Sequence, residues 1–177
     1  MRPLIKGGAV VADRYTLVRA AATLADLPEA TPVIVPLPLW HKARAALVAR
    51  GDAGVWLAPG DDPATLAPDV ARVPVVAVEF PAFTDGRGYS TARLLRERYG
   101  YTGELRAIGD VQRDQLYYLL QSGFDAFSLR DDKDAAEALA GLRDFSDGYQ
   151  RTQRRAPWFR RRDLRRRDRA HTAPRDA

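Results

Sequence analysis

Six consecutive residues, Asp85-Gly86-Arg87-Gly88-Tyr89-Ser90, combine two glycines, a guanidinium and a helix-capping hydroxyl. Glycine permits positive φ and lets a bound group approach the backbone closely. Ser90 is placed to cap a helix opening near Thr91, and the free amides of such a first turn favour an anion. Arg87 would add a bidentate contact. Phosphate, sulfate, sulfite and carboxylate all satisfy this description, so Asp85, Gly86, Arg87, Gly88 and Ser90 form a candidate anion site. Gly109 and Asp110 join it if the loop that carries them lies alongside. The same residues also describe a tight strand-to-helix turn with a good cap. DGRGYS is neither a Walker loop nor a G-x-G-x-x-G fingerprint.

Carboxylates gather in the same region at Glu79, Asp85, Asp110 and Asp114. Oxygen ligands of this kind hold Mg²⁺, and a single carboxylate can serve as a general base. Capping helices and pairing with Arg87, Arg106 or Arg113 is the commoner use of such residues, and Asp110 before Val111 is an ordinary N-cap candidate. No metal is assigned on this basis. Phe83 and Tyr89 would stack on a planar cofactor or form a protein-binding surface if they are exposed, and would be core if they are not. Trp40 and Trp56 lie in or beside apolar runs and read as packing residues.

These residues need elements to position them. Gly7-Gly8 between Leu4–Ile5 and Ala9–Ala12 predicts a β-hairpin, with a further run at Tyr15–Val18 available to pair with it. Residues 19–31 read as a linker or short helix. From residue 32, apolar runs at Val33–Val35, Val55–Ala58, Val73–Phe80, Leu105–Ile108 and Ala126–Leu129 alternate with helical spacing. Gly51, Gly100 and Gly123 end three of the helices. Asp62 caps a short helix before Pro63. Asp131 or Asp132 would cap a last helix whose stripe is Ala135, Ala138, Leu142, Phe145 and Tyr149. The expectation is an α/β fold: a five-stranded, mainly parallel sheet with flanking helices over 32–150. It would be flavodoxin-like or a partial barrel, since a full barrel needs eight units. A partial barrel would be completed by the hairpin of 1–31 or by a second subunit, so a homo-oligomer stays open. In any parallel sheet the loops Pro81–Ser90 and Gly109–Val111 leave the carboxyl ends of strands, where ligands bind.

The totals exclude several chemistries. The chain has no cysteine, so it holds no disulfide, thiol nucleophile or cysteine-ligated cluster. Its histidines, His41 and His171, are far apart in sequence and suit neither a triad nor a histidine metal site. The net charge of +5 is unevenly divided: residues 151–177 carry eleven arginines and three aspartates, a net +8, and the remainder is net −3. The body therefore lacks the basic character of a nucleic-acid binder. The arginine-rich tail reads as a disordered extension, with Trp158, Phe159 and Leu164 as anchors if it meets an acidic partner. No apolar run approaches the ~20 residues of a membrane span, and the first residues lack an apolar signal core, so a cytoplasmic location is expected.

The stretch VAVEFPAFTDGRGYSTARLLRERYGYTGELRAIGDVQRDQLYYLLQSGFDAF resembles the signature of a bacterial family of unknown function. Its members are described as probable oxidoreductases of sulfite reduction and are usually encoded beside the sulfite reductase haemoprotein. The resemblance is dense from about Val55 to Leu129, weaker toward the N-terminus and absent from the arginine-rich tail, and is carried by FPAFTDGRGYS and GELRAIGDVQRDQ. It implies a place in sulfur assimilation with sulfite reductase haemoprotein as partner. Many members have a cysteine before the glycine of the GFD segment, where this chain has Ser122. The residues supply no siroheme ligand, cluster ligand or dinucleotide fingerprint, so six-electron chemistry in this chain alone is not expected. Two readings follow. One is an accessory protein of sulfite reductase. The other is a small enzyme, an oxidoreductase among the options, binding flavin or a phosphate-bearing ligand over the Asp85–Ser90 loop.

Overall fold

A computed structural model of the chain describes residues 3–130 and 132–143. Phe145, Tyr149, the Asp131 capping alternative and the tail of 151–177 lie outside the described residues. Eight strands form one sheet: β1 (Pro3–Lys6), β2 (Ala9–Ala12), β3 (Thr16–Leu17), β4 (Val33–Pro36), β5 (Ala53–Leu57), β6 (Val75–Phe80), β7 (Glu104–Gly109) and β8 (Ala126–Phe127). Their order is β2-β1-β8-β7-β6-β5-β4-β3. Neighbours from β3 to β8 are parallel, and β1 is antiparallel to both β2 and β8. The parallel part thus has six strands, not five. The added one is β3, because the Tyr15–Val18 run pairs with β4 at the far edge and not with the hairpin.

The strand order runs from β3 to β8 without reversal. A flavodoxin-like sheet reverses at a switch point and carries helices on both faces; among the described residues this one does neither. Helices α1 (Leu37–Arg50), α2 (Arg87–Arg93), α3 (Leu116–Gln121) and α4 (Ala135–Ala138) share one large apolar cluster with alternate strand residues. Val33, Val35, Val55, Leu57, Val76, Val78, Phe80, Leu105 and Ala107 point to that side. Ile34, Val75, Ala77 and Ile108 point to the other, where Tyr15, Leu17 and Trp56 pack on them. Runs apolar on both faces are what a covered parallel sheet requires.

The connection between β2 and β3 dictates the curvature. These are the two edge strands, and only Asp13, Arg14 and Tyr15 separate them. Seven strand intervals would span ~34 Å in a flat sheet, whereas the four steps from Ala12 to Thr16 reach ~14 Å at most. The sheet must curl, and it forms a half-barrel with the helices outside. Asp13–Tyr15 cross its inner side as a strap. There the Arg106 guanidinium donates to Asp13 at 2.7 Å, lies 2.7 Å from Glu104, and sits over the Tyr15 ring at 5.5 Å. Arg106 is only 2% exposed. Burial of the Tyr15 phenol pushes its pKa up. Lys6 of β1 reaches the same Glu104.

Among the described residues no helix is long and apolar enough to cross a membrane.

Candidate functional site

The carboxyl ends of the parallel strands form one rim, and the two loops singled out in the sequence meet there. Gly109 ends β7 beside Phe80, the end of β6. Its φ is +95°, and a Cβ at this position would stand 2.3 Å from the Phe80 carbonyl oxygen. Only glycine has room, and the close approach lets the Asp110 amide donate to that same oxygen at 2.7 Å.

Asp110 does not cap a helix. Its Oδ2 accepts from the Phe83 amide at 2.9 Å, across from one loop to the other. Its Oδ1 accepts from Arg130 Nη1 at 3.1 Å and from Gln112 Nε2 at 3.4 Å. Gln115 completes the clamp: its Nε2 donates to the Phe83 carbonyl at 3.4 Å, and its Oε1 accepts from the Gln112 amide at 2.9 Å. Gln115 is itself buried and bonds the Tyr89 hydroxyl. Both backbone polar groups of Phe83 are therefore held from the neighbouring loop. The residue is 46% exposed.

Asp85 and Arg87 serve each other. Arg87 Nε and the Arg87 amide donate to Asp85 Oδ1 at 3.0 and 3.1 Å. The guanidinium holds the Asp85 carboxyl below the usual carboxylate range. Asp85, not Ser90, thus supplies the side-chain acceptor for the first turn. Helix α2 opens at Arg87, four residues earlier than the serine cap predicts, so Ser90 lies inside it and exposed. Gly86 has an ordinary φ of −87°, and Gly88 does not have positive φ either. Gly88 is required by packing, because a Cβ there would stand 2.5 Å from the Phe80 ring. Tyr89 packs edge-on against the same ring at 5.3 Å, and burial pushes its phenol pKa up. Of the two candidate surface aromatics, Phe83 is on the surface and Tyr89 is half-buried.

The four carboxylates do not converge. Glu79 faces the inner side and pairs with Arg19, whose guanidinium also lies over Trp56. Asp85 and Asp110 have the separate partners given above. Among the described residues no group of three or more histidines and carboxylates is arranged to hold a metal.

Sequence reasoning missed Gln115 and Arg130, and read Asp132 as a helix cap, where the structure pairs it with Arg130. Arg130 bridges Asp110 and Asp132, donating to Asp132 at 2.6 and 2.8 Å and pulling its pKa down to about 2. Gln112 and Gln115 sit in the quoted motif GDVQRDQ, so their presence was visible; their target, a backbone in another loop, was not. Beside this network a cleft of about 370 Å³ opens between Gln112–Asp114 and Asp132–Ala138. Its walls carry Asp114, Asp132, Asp134 and Glu137 against Arg113 and Lys133. That balance does not favour a phosphate there.

A family model described as bacterial protein of unknown function (DUF934) matches residues 54–159, more than half of the 177-residue chain. The chain belongs to this family. The match encloses the whole rim from β5 onward and runs past Gln150 into the arginine-rich stretch, while the hairpin, strap, β3, β4 and α1 precede it. No curated protein and no solved structure matches the chain.

Proposed function

We propose that the protein is an accessory of assimilatory sulfite reduction that docks on sulfite reductase haemoprotein through its rim loop 80–88. The pathway comes from the family resemblance. The docking surface rests on one observation: Phe83 is exposed while its amide and carbonyl are both fixed, by Asp110 and Gln115. An exposed aromatic held in place loses little entropy when a partner covers it, which is how an interface anchor contributes most. The Asp85–Arg87 and Asp110–Arg130–Asp132 pairs surround it with charge already satisfied within the chain. An apolar anchor in a polar surround is the usual anatomy of a protein interface. The internal pairing of Asp85 with Arg87 favours docking over capture of a free anion, because an anion would have to displace a carboxylate already in place.

The test is co-purification of the tagged chain with the reductase haemoprotein, compared with Phe83→Ala. The wild type should retain the haemoprotein and the variant should lose it at unchanged thermal stability. Equal retention by both would remove Phe83 from the interface. Absence of any complex, with normal sulfite reduction in a deletion strain, would remove the accessory role. A yellow protein, or a thermal shift with flavin, phosphate or sulfite, would instead assign a small ligand to the loop.

A further inference from the structure

Among the described residues strand β2 ends the sheet on the hairpin side, and all four of its residues are exposed, with Val10 at 41% and Val11 at 39%. Its register fixes which backbone groups are already used. Gly7 and Gly8 both have positive φ, 62° and 82°, and Lys6 faces Ala9 across them. In this two-residue type I′ hairpin the residues flanking the turn exchange both hydrogen bonds, and the pattern then alternates along the ladder. Ala9 and Val11 therefore turn their N–H and C=O toward β1. Val10 and Ala12 turn theirs outward. Within Ala9–Ala12 there is no lysine, no proline and no charge, the devices that normally protect an edge.

We propose that β2 pairs antiparallel with β2 of a second copy of this chain about a two-fold axis. The outward groups select the register. Val10 stands opposite Ala12 of the second copy, and Ala12 opposite Val10, so each outward N–H meets an outward C=O. Val11 then faces its own copy on the axis. Centring the pair on Val10 would recruit Gly8, whose φ of +82° is not extended. The occupant follows from the strand itself. In the selected register Val11 meets Val11 and Val10 meets Ala12, so an inverted copy sets apolar residues against apolar ones. Asp13 and Arg14 leave the edge for the strap, where Asp13 is held by Arg106, so no charge lies within the paired segment. One short strand buries less than the ~1,200 Å² of a stable interface, which makes the dimer reversible. This surface is separate from the rim loop and does not depend on its role.

The test is sedimentation of the full chain across a wide concentration range, together with amide exchange. The mass should rise from 19.7 kDa toward twice that value. Exchange at Val10 and Ala12 should slow in parallel, while exchange at Ala9 and Val11, bonded within the hairpin, should change little. Val11→Lys places two ammonium groups face to face and should hold the chain monomeric with an unchanged circular dichroism spectrum. Val11→Thr should dimerise as the wild type does. A wild type that stays at 19.7 kDa at every concentration overturns the proposal, as does a dimer in which the Val10 and Ala12 amides exchange no more slowly. The exchange result stands even if Val11→Lys fails to fold.

Discussion

Gly109 carries more of the rim than any other single residue. Its positive φ and its contact with the Phe80 carbonyl make every larger side chain doubly unfavourable there. Gly109→Ala should cost about 2–4 kcal/mol, combining left-handed backbone strain with the displacement of β6, measured by urea unfolding. Gly86→Ala makes the contrast, because Gly86 has φ of −87° and an added methyl group would meet nothing within 4 Å. It should change stability by less than about 0.5 kcal/mol. Both glycines were visible in the sequence as special residues. Which of them was needed for conformation could not be read there, because that depends on where the neighbouring strand puts its carbonyl.

At the scale of elements, side-chain ties decide how helices seat on the sheet. Asp69 is buried at the end of the 3-10 segment Pro63–Asp69 and accepts from Trp40 Nε1 at 3.0 Å and Arg44 Nε at 2.7 and 2.8 Å, fastening that segment to α1. The bonds from Arg44 hold its carboxyl below the ordinary value of 3.8. A depressed native pKa adds stability that is complete above that ordinary value and is lost as pH falls through the native one. Asp69→Asn should therefore lower the melting temperature at pH 7 and flatten its fall below pH 4, as scanning calorimetry would record. Asp69→Ala should cost about 2–3 kcal/mol at neutral pH by leaving the buried Trp40 N–H without its acceptor. The sequence showed the caps and ends of these elements unevenly. Gly51, Gly100 and Gly123 do terminate helical segments with positive φ, and Asp62 does cap at Ala64. The last helix is capped by Asp134, because its side chain is the one in reach of the Ala136 and Glu137 amides. Nothing in LLRER announced that α2 continues as a π-helical turn over Leu94–Arg98. There Arg96 ties the turn to the Gly123 carbonyl and to Asp125.

At the scale of the whole molecule, the half-barrel is closed on its inner side by the strap and its ion pairs. Arg106 is the centre of that arrangement, with Asp13 and Glu104 as partners and Tyr15 over its guanidinium. Removing the cation leaves two carboxylates facing each other in a buried place. Arg106→Ala should cost about 3–5 kcal/mol and loosen the whole N-terminal segment. Hydrogen exchange would show the loss of protection extending to the Thr16 and Val18 amides, which bond to Pro32 and Ile34. An unchanged exchange pattern at those amides would mean that the strap is held by the apolar contacts of Tyr15 and Leu17 alone.

Local pattern in the chain was sufficient for the strand runs, the Gly7-Gly8 hairpin, the helix-ending glycines and the two loops that leave carboxyl ends of strands. Each of these follows from backbone sterics and hydrophobic period within a few residues. Strand order, curvature and the clamp on Phe83 came only from the tertiary structure. Val33–Val35 is equally apolar in a doubly wound sheet and in a half-barrel, and periodicity does not say which edge it meets. That choice was made by a three-residue connection too short to cross a flat sheet, and by Asp110 and Gln115 reaching a backbone more than twenty-five residues away in the chain.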